Sequence, residues 1–231
     1  MSYRMTDIIK TKCIAMVILF LSGALLPYSG FAGESNPHRH HGVGARLSYA
    51  NFSTATISDV DLDMVCDDTI FPEINYTYVL HKHFFLELSA SYIKTDVDLE
   101  FEDQSGNIGE FTQIPVILIV NYTNKINLTD IFFNAGIGAG YYFNDFDYKK
   151  RDGDQDFFGL NMQINDVDNC LGFIGVLGFE YFINQKYSIN LDMKVTFYKP
   201  DFDLIYADGS KDSSGAGINT IMLGFGFKYN F

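Results

Sequence analysis

The sequence predicts an all-β protein: an eight-stranded, antiparallel, up-and-down transmembrane β-barrel with short periplasmic turns and long extracellular loops. Three observations predict it. Eight segments of roughly ten residues alternate apolar and polar side chains with a period of two, the spacing of a strand with one greasy and one wet face. The connections between them alternate short and long, as in outer-membrane barrels. The N-terminus carries the features of a secretory signal.

That signal comes first in the chain. Arg4, Lys10 and Lys12 make a basic start, an apolar stretch follows over 13–30, and Gly30-Phe31-Ala32 supplies small residues for cleavage. The apolar run is short and broken by Ser22, Gly23 and Pro27, so a cleaved signal over 1–32 is expected; a retained anchor is the alternative. Cys13 stands at the start of the apolar stretch, not after it, and is not placed for lipid attachment. Residues 33–41 then form a periplasmic tail, and 42–231 the barrel. No run in 42–231 is long and apolar enough for a spanning helix.

The strands follow in order. In "VGARLSYA", Val43, Ala45, Leu47 and Tyr49 oppose Gly44, Arg46 and Ser48. "FPEINYTYVL" sets Ile74, Tyr76, Tyr78 and Leu80 against Glu73, Asn75 and Thr77. "FLELSASY" sets Leu86, Leu88, Ala90 and Tyr92 against Glu87, Ser89 and Ser91. The fourth strand shows Ile114, Val116, Leu118, Val120 and Tyr122 on one side. "FFNAGIGAGYYF" alternates Phe133, Ala135, Ile137, Ala139 and Tyr141 with Asn134 and three glycines. Two strands follow, "LGFIGVLGFEYF" and "YSINLDMKVTF", and the chain closes on "TIMLGFGFKYNF". Short links fall at 80–83, 123–130 and 184–186, and long ones at about 51–68, 95–110, 144–168 and 199–216. A short helix is one expectation for 157–168, inside the third long loop.

A soluble barrel also alternates, but turns its apolar face inward. Here the polar face is rich in Gly and Ser, which suits a narrow lumen, and the apolar face in Tyr and Phe near strand ends. There is no Trp, so Tyr and Phe supply the interfacial belt of a membrane barrel. The last strand then shows Phe225, Phe227, Tyr229 and Phe231 to lipid, and Lys228 and Asn230 to the lumen.

The order of these segments resembles the OmpW family of eight-stranded outer-membrane barrels. The resemblance rests on "QIPVILIVNY", "FFNAGIGAGYYF", "GFIGVLGFEYFINQKYSINLDMKVTFY" and "MLGFGFKYNF", and runs over roughly 42–231. It implies a small monomeric barrel in the outer membrane of a Gram-negative bacterium, bathed in lipid and lipopolysaccharide. It also implies passage of small hydrophobic solutes. The family's lumen is described as apolar. By parity this lumen is mixed: Ile117, Ile119, Ile174, Val176 and Met222 point inward, and so do Arg46, Glu73, Glu87, Glu180, Asp192, Lys194 and Lys228.

Buried charges must pair. The seven inward charges therefore form either a fixed plug or a gate whose pairs part. Pro72 and Pro115 flank the third strand, near the outer ends of strands two and four. Neither can donate a ladder hydrogen bond. Each marks a bulge or a strand leaving the hydrocarbon zone, or else a lateral opening through which an apolar ligand leaves the lumen sideways.

The remaining features exclude more than they assign. A formal charge of −13 argues against nucleic acid. The four long segments hold 22 acidic residues, a solvated rim or a surface that shares divalent cations with lipopolysaccharide. "DGDQD" at 152–156 lacks the later ligands of a calcium loop, and no metal site or cofactor is assigned. "HRHH" at 38–41 is a basic tail or a weak metal ligand set. All five His residues map to the periplasmic side, so no Ser–His–Asp arrangement assembles at the outer rim and no enzyme is expected. Cys66 and Cys170 are either a disulfide across the mouth or two separated thiols, since their strands lie on opposite walls. Two function classes remain: a transport barrel for small hydrophobic molecules, and an adhesion or surface-defence barrel acting through its acidic loops.

Overall fold

A computed structural model describes residues 40–57, 62–101, 104–126, 129–148, 162–206 and 208–231. The predicted signal and most of the tail lie outside them. Fourteen strands run in order: β1 (His41–Phe52), β2 (Ala55–Ile57), β3 (Leu62–Cys66), β4 (Thr69–His81), β5 (Phe84–Ser91), β6 (Ile93–Phe101), β7 (Gln104–Lys125), β8 (Ile131–Tyr148), β9 (Met162–Val167), β10 (Cys170–Phe182), β11 (Tyr187–Tyr198), β12 (Asp201–Tyr206), β13 (Lys211–Gly215) and β14 (Ile218–Asn230).

Eight of them close a ring in the order β1-β4-β5-β7-β8-β10-β11-β14. Each neighbour is antiparallel, and β14 pairs back onto β1 from Gly42↔Asn230 to Phe52↔Thr220. Closure leaves no free sheet edge, which is what a barrel in lipid requires. The predicted all-β, eight-stranded, up-and-down barrel is the observed fold.

The alternation decides which face is which. Ile137, Leu171 and Phe173 are about three-quarters exposed, while Lys194 on the inner face is 1% exposed. A water-soluble protein with that distribution would be inside out, so the exposed band is the lipid surface. Aromatic rings gather at the short-turn end. Tyr187 stacks on Phe227, Tyr229 on Phe231, and His41 on Phe231. They form the interfacial belt that the absence of Trp assigns to Tyr and Phe. His41 is therefore the first residue of β1 rather than the end of a tail, and its Nδ1 lies 2.5 Å from the Tyr76 hydroxyl.

The long connections differ from the expectation of loops. They fold as sheet. β2, β3 and β6 extend the wall beyond the ring, with β6 paired to the first half of β7, and β9, β12 and β13 form a second sheet. The expected helix over 157–168 is replaced over Met162–Val167 by β9, and 157–161 lie outside the described residues. The reason is apolar burial. Ile164 and Val167 pack with Phe202 and Leu204 of β12 in one cluster shared with Phe71 and Tyr142 of the barrel and Ile93 of β6.

Candidate functional site in the lumen and its wall

The inner face divides into levels along the axis. At the middle, β1 carries Arg46 opposite Glu73 of β4 and Gly226 of β14. Arg46 Nη1 donates to Glu73 Oε1 and to Glu87 Oε1, both at 2.6 Å. Its Nη2 donates to Glu87 Oε2 at 2.9 Å, and its Nε meets Asp192 Oδ2 at 2.8 Å. Lys194 Nζ donates to both Glu73 oxygens, at 2.7 and 2.6 Å. Toward the short-turn end Lys228 Nζ meets Glu180 Oε1 at 2.6 Å, and the Ser188 hydroxyl donates to the same oxygen at 2.5 Å. All seven inward charges of the sequence analysis thus fall into two connected groups, each side chain nearly sealed from solvent.

Glycine makes the room. A Cβ on Gly226 would stand 2.4 Å from Arg46 Cγ, 2.6 Å from Asn190 Oδ1 and 2.7 Å from the Ala45 carbonyl oxygen. Between the two charge groups, a cavity lined by Glu87, Glu180, Asp192 and Lys228 admits the centre of a water molecule over about 20 Å³. That is space for one or two waters and for no larger solute. Ile117, Ile119, Ile174 and Val176 form a separate apolar patch on the inner wall.

Toward the mouth the interior turns apolar. Ala50, Phe71, Ile93, Tyr142, Tyr198, Ile218 and Met222 belong to one buried cluster that continues into Met64, Val97, Leu99 and Ile108 of the extended sheet. The alternation of "DVDLEF" carries that signal in the sequence, with Val97 and Leu99 between Asp96, Asp98 and Glu100. Its acidity hides it, because acidic residues occupy the opposite face.

The two prolines meet at one place in the wall. The β4–β5 ladder ends at Glu73↔Ser91, so Pro72 is the first residue of β4 left without a partner on that side. The β5–β7 ladder stops at Ala90↔Val116 and resumes as β6–β7 at Ile93↔Gln113, leaving Pro115 and Ile114 opposite Ser91 and Tyr92. Tyr92 itself lies outside any strand. Beyond it the wall between β4 and β6 is held by side chains. The Thr69 hydroxyl donates to the Lys94 carbonyl at 2.9 Å, and the Thr95 hydroxyl to the Asp67 carbonyl at 2.5 Å. Backbone pairing returns with the Asp67 amide on the Asp96 carbonyl at 3.0 Å. Pro72 points outward beside Leu47, and Pro115 inward. The seam between Pro72 and Tyr92 starts one residue mouthward of the Arg46–Glu73 pair.

Cys66 and Cys170 are free thiols. Cys66, at the end of β3, is buried in the apolar cluster beside Asp67, and burial pushes its thiol up to about 12. Cys170 opens β10, opposite Tyr142 of β8. The separated-thiol alternative is the one the structure holds, and the proposed bridge across the mouth is not made: β3 pairs with β6 while β10 pairs with β8 and β11. Among the described residues no group of His, Cys, Asp and Glu is placed to hold a metal ion.

Comparison with known proteins assigns the barrel. The model of the OmpW family matches residues 42–231. The chain belongs to the OmpW family. It is 25% identical over 178 residues to an uncharacterized outer-membrane protein, y4mB, of Sinorhizobium fredii, covering 73% of this chain and 69% of that one. The fold is similar to the crystal structure of the outer membrane protein OprG from Pseudomonas aeruginosa, with a TM-score of 0.64 at 16% identity over 84% of this chain and 98% of that one. It also resembles AlkL in lipid bilayers, with a TM-score of 0.54 at 16% identity over 89% and 97%. This OmpW-family barrel is a protein of the outer membrane.

Proposed function

We propose that the protein carries small hydrophobic molecules across the outer membrane and releases them sideways, through the wall at Pro72, Tyr92 and Pro115. One observation carries the reading: the two ladders beside Tyr92 are interrupted at the level where the apolar interior meets the charged plug. A solute entering at the mouth is in an apolar surrounding down to Phe71 and Ile93. Below it lie seven ionised groups whose pairs cost several kcal/mol to part in a low-dielectric interior. The adjacent ladders are interrupted over the same stretch. The apolar route of least cost therefore leads outward to lipid.

The test is uptake of an apolar solute by vesicles whose outer leaflet is lipopolysaccharide, compared between wild type and Pro115→Val. Val restores an amide to β7 and strengthens the ladder, so slower protein-dependent uptake is expected. Equal uptake by both would remove the lateral route. A second reading, a surface adhesion or defence barrel, is favoured by the same paired lumen, which leaves the acidic long segments as the exposed chemistry. Cell-surface binding that survives in a barrel with no solute uptake would support it instead.

A further inference from the structure

The charges of this chain are sorted by place. Of its 29 acidic residues, 22 lie in the four long segments, and Glu73, Glu87, Glu180 and Asp192 are buried in the lumen. Asp7 and Glu34 precede the barrel, which leaves Asp130 as the one acidic residue for the short-turn end. Lys82, Lys125 and Lys186 stand at that end, all exposed, and so do His40 and His81. Arg39 and His38 adjoin them in sequence. A molecule of formal charge −13 thus has one basic end.

The backbone ties these residues into one rim. The Asn230 amide donates to the Lys186 carbonyl at 2.7 Å, and the Phe231 amide to the His41 carbonyl at 2.8 Å. The Val79 amide donates to the His40 carbonyl at 3.0 Å, and the Thr123 amide to the His83 carbonyl at 2.8 Å. His83 Nδ1 donates back to the Thr123 carbonyl at 3.1 Å. The basic residues therefore follow one arc, from Lys186 past β14 and β1 to Lys82 and Lys125. Lys125 meets Asp130 at 3.2 Å, which offsets that one lysine. Among the described residues no carboxylate answers Lys82 or Lys186.

The arc borders the aromatic belt. His41 lies against Tyr78 at 5.3 Å between ring centroids, His83 against Tyr122 at 5.8 Å, and Tyr187 against Tyr229 at 5.4 Å. Such rings mark the level where hydrocarbon gives way to headgroups, and lysine side chains reach from there to the phosphates. We propose that this rim binds the phosphate headgroups of anionic phospholipid, of the phosphatidylglycerol kind, in the periplasmic leaflet. Continuity with the lipid-facing belt makes the partner a lipid, and the reading owes nothing to solute passage. The rest of the chain repels an anionic lipid, so a preference for one has to come from this end.

The test is native mass spectrometry of the full chain released from nanodiscs of equal phosphatidylglycerol and phosphatidylethanolamine with the same acyl chains. It reads the ratio of the two lipids retained. Wild type is expected to keep phosphatidylglycerol in excess. Lys82→Gln and Lys186→Gln each lower the ratio by up to about fivefold, and Lys125→Gln by less, because Asp130 already offsets it. The pair Lys199→Gln, Lys211→Gln, in the last long segment, leaves it unchanged. Heat-modifiable migration checks that each variant is folded, and added salt lowers the ratio of wild type with no substitution at all. Equal retention of the two lipids by wild type overturns the proposal. So does an excess that neither salt nor the combined Lys82→Gln, Lys186→Gln variant reduces, or one that Lys199→Gln, Lys211→Gln reduces as far. Loss of the excess in dilute inorganic phosphate would mean that the arc takes a free anion and would overturn lipid as its partner.

Discussion

Asp192 makes one ion pair, to Arg46 Nε, and leaves its Oδ1 without a partner. Glu73 takes three hydrogen bonds, one from Arg46 and two from Lys194. The four carboxylates also outnumber the three cations. Removing different members of the group therefore has unequal costs. Lys194→Met leaves the Glu73 carboxylate with Arg46 as its one cation and the group with two excess negative charges, a loss of about 3–5 kcal/mol. Asp192→Asn removes the excess charge and strands nothing new on its free side, so its cost is smaller by about 2 kcal/mol or more. Denaturant midpoints of heat-modifiable gel migration in detergent check the order. Cysteine gives a second test at this scale. Cys66 is buried, with a thiol held near 12, so its thiolate is scarce at pH 8 and iodoacetamide leaves it unmodified in the folded barrel. Cys170, half-buried, is expected to react first. Unfolding without reductant exposes both thiols, and intact mass shows no two-proton difference with reductant; such a difference would mean a bridge.

At the scale of elements, alternation made the eight membrane strands legible. Parity alone placed Arg46, Glu73, Glu87, Glu180, Asp192, Lys194 and Lys228 inside, because a period of two admits no other arrangement once one face meets lipid. What it left dark was pairing across the barrel. Lys194 and Glu73 are 121 residues apart, and no spacing rule links them. The outer sheet was hidden for a different reason: "DVDLEF" alternates too, but its acidic face reads as a solvated loop. Pro72 and Pro115 stood out as ladder breakers, yet only the register brings both beside Tyr92. Thr69 spans that seam with a single hydroxyl bond to the Lys94 carbonyl. Thr69→Val removes it, and a seam loosened by about 1 kcal/mol speeds apolar uptake by about fivefold. Unchanged uptake would mean that the hydroxyl does not hold the wall. Gly226 tests the packing of the same level from the other side. Gly226→Val pushes a side chain into Arg46 and the Ala45 carbonyl, with an expected cost of about 1–3 kcal/mol in the same denaturant assay.

For the whole molecule, the claim is a closed barrel with one weak place. Every strand of the ring is paired on both sides, and the middle of the lumen is filled by paired charges; around Tyr92 the ladders break and side-chain hydrogen bonds bridge the wall. The proposed sideways route follows from this arrangement, an apolar mouth above a filled axis. Site-resolved amide hydrogen exchange of the barrel in lipid bilayers tests it most directly. The amides of 69–71 and 91–95 that face across the seam are expected to exchange well before those of 74–80 and 85–90. Uniform protection of 69–71 and 91–95 would contradict the account.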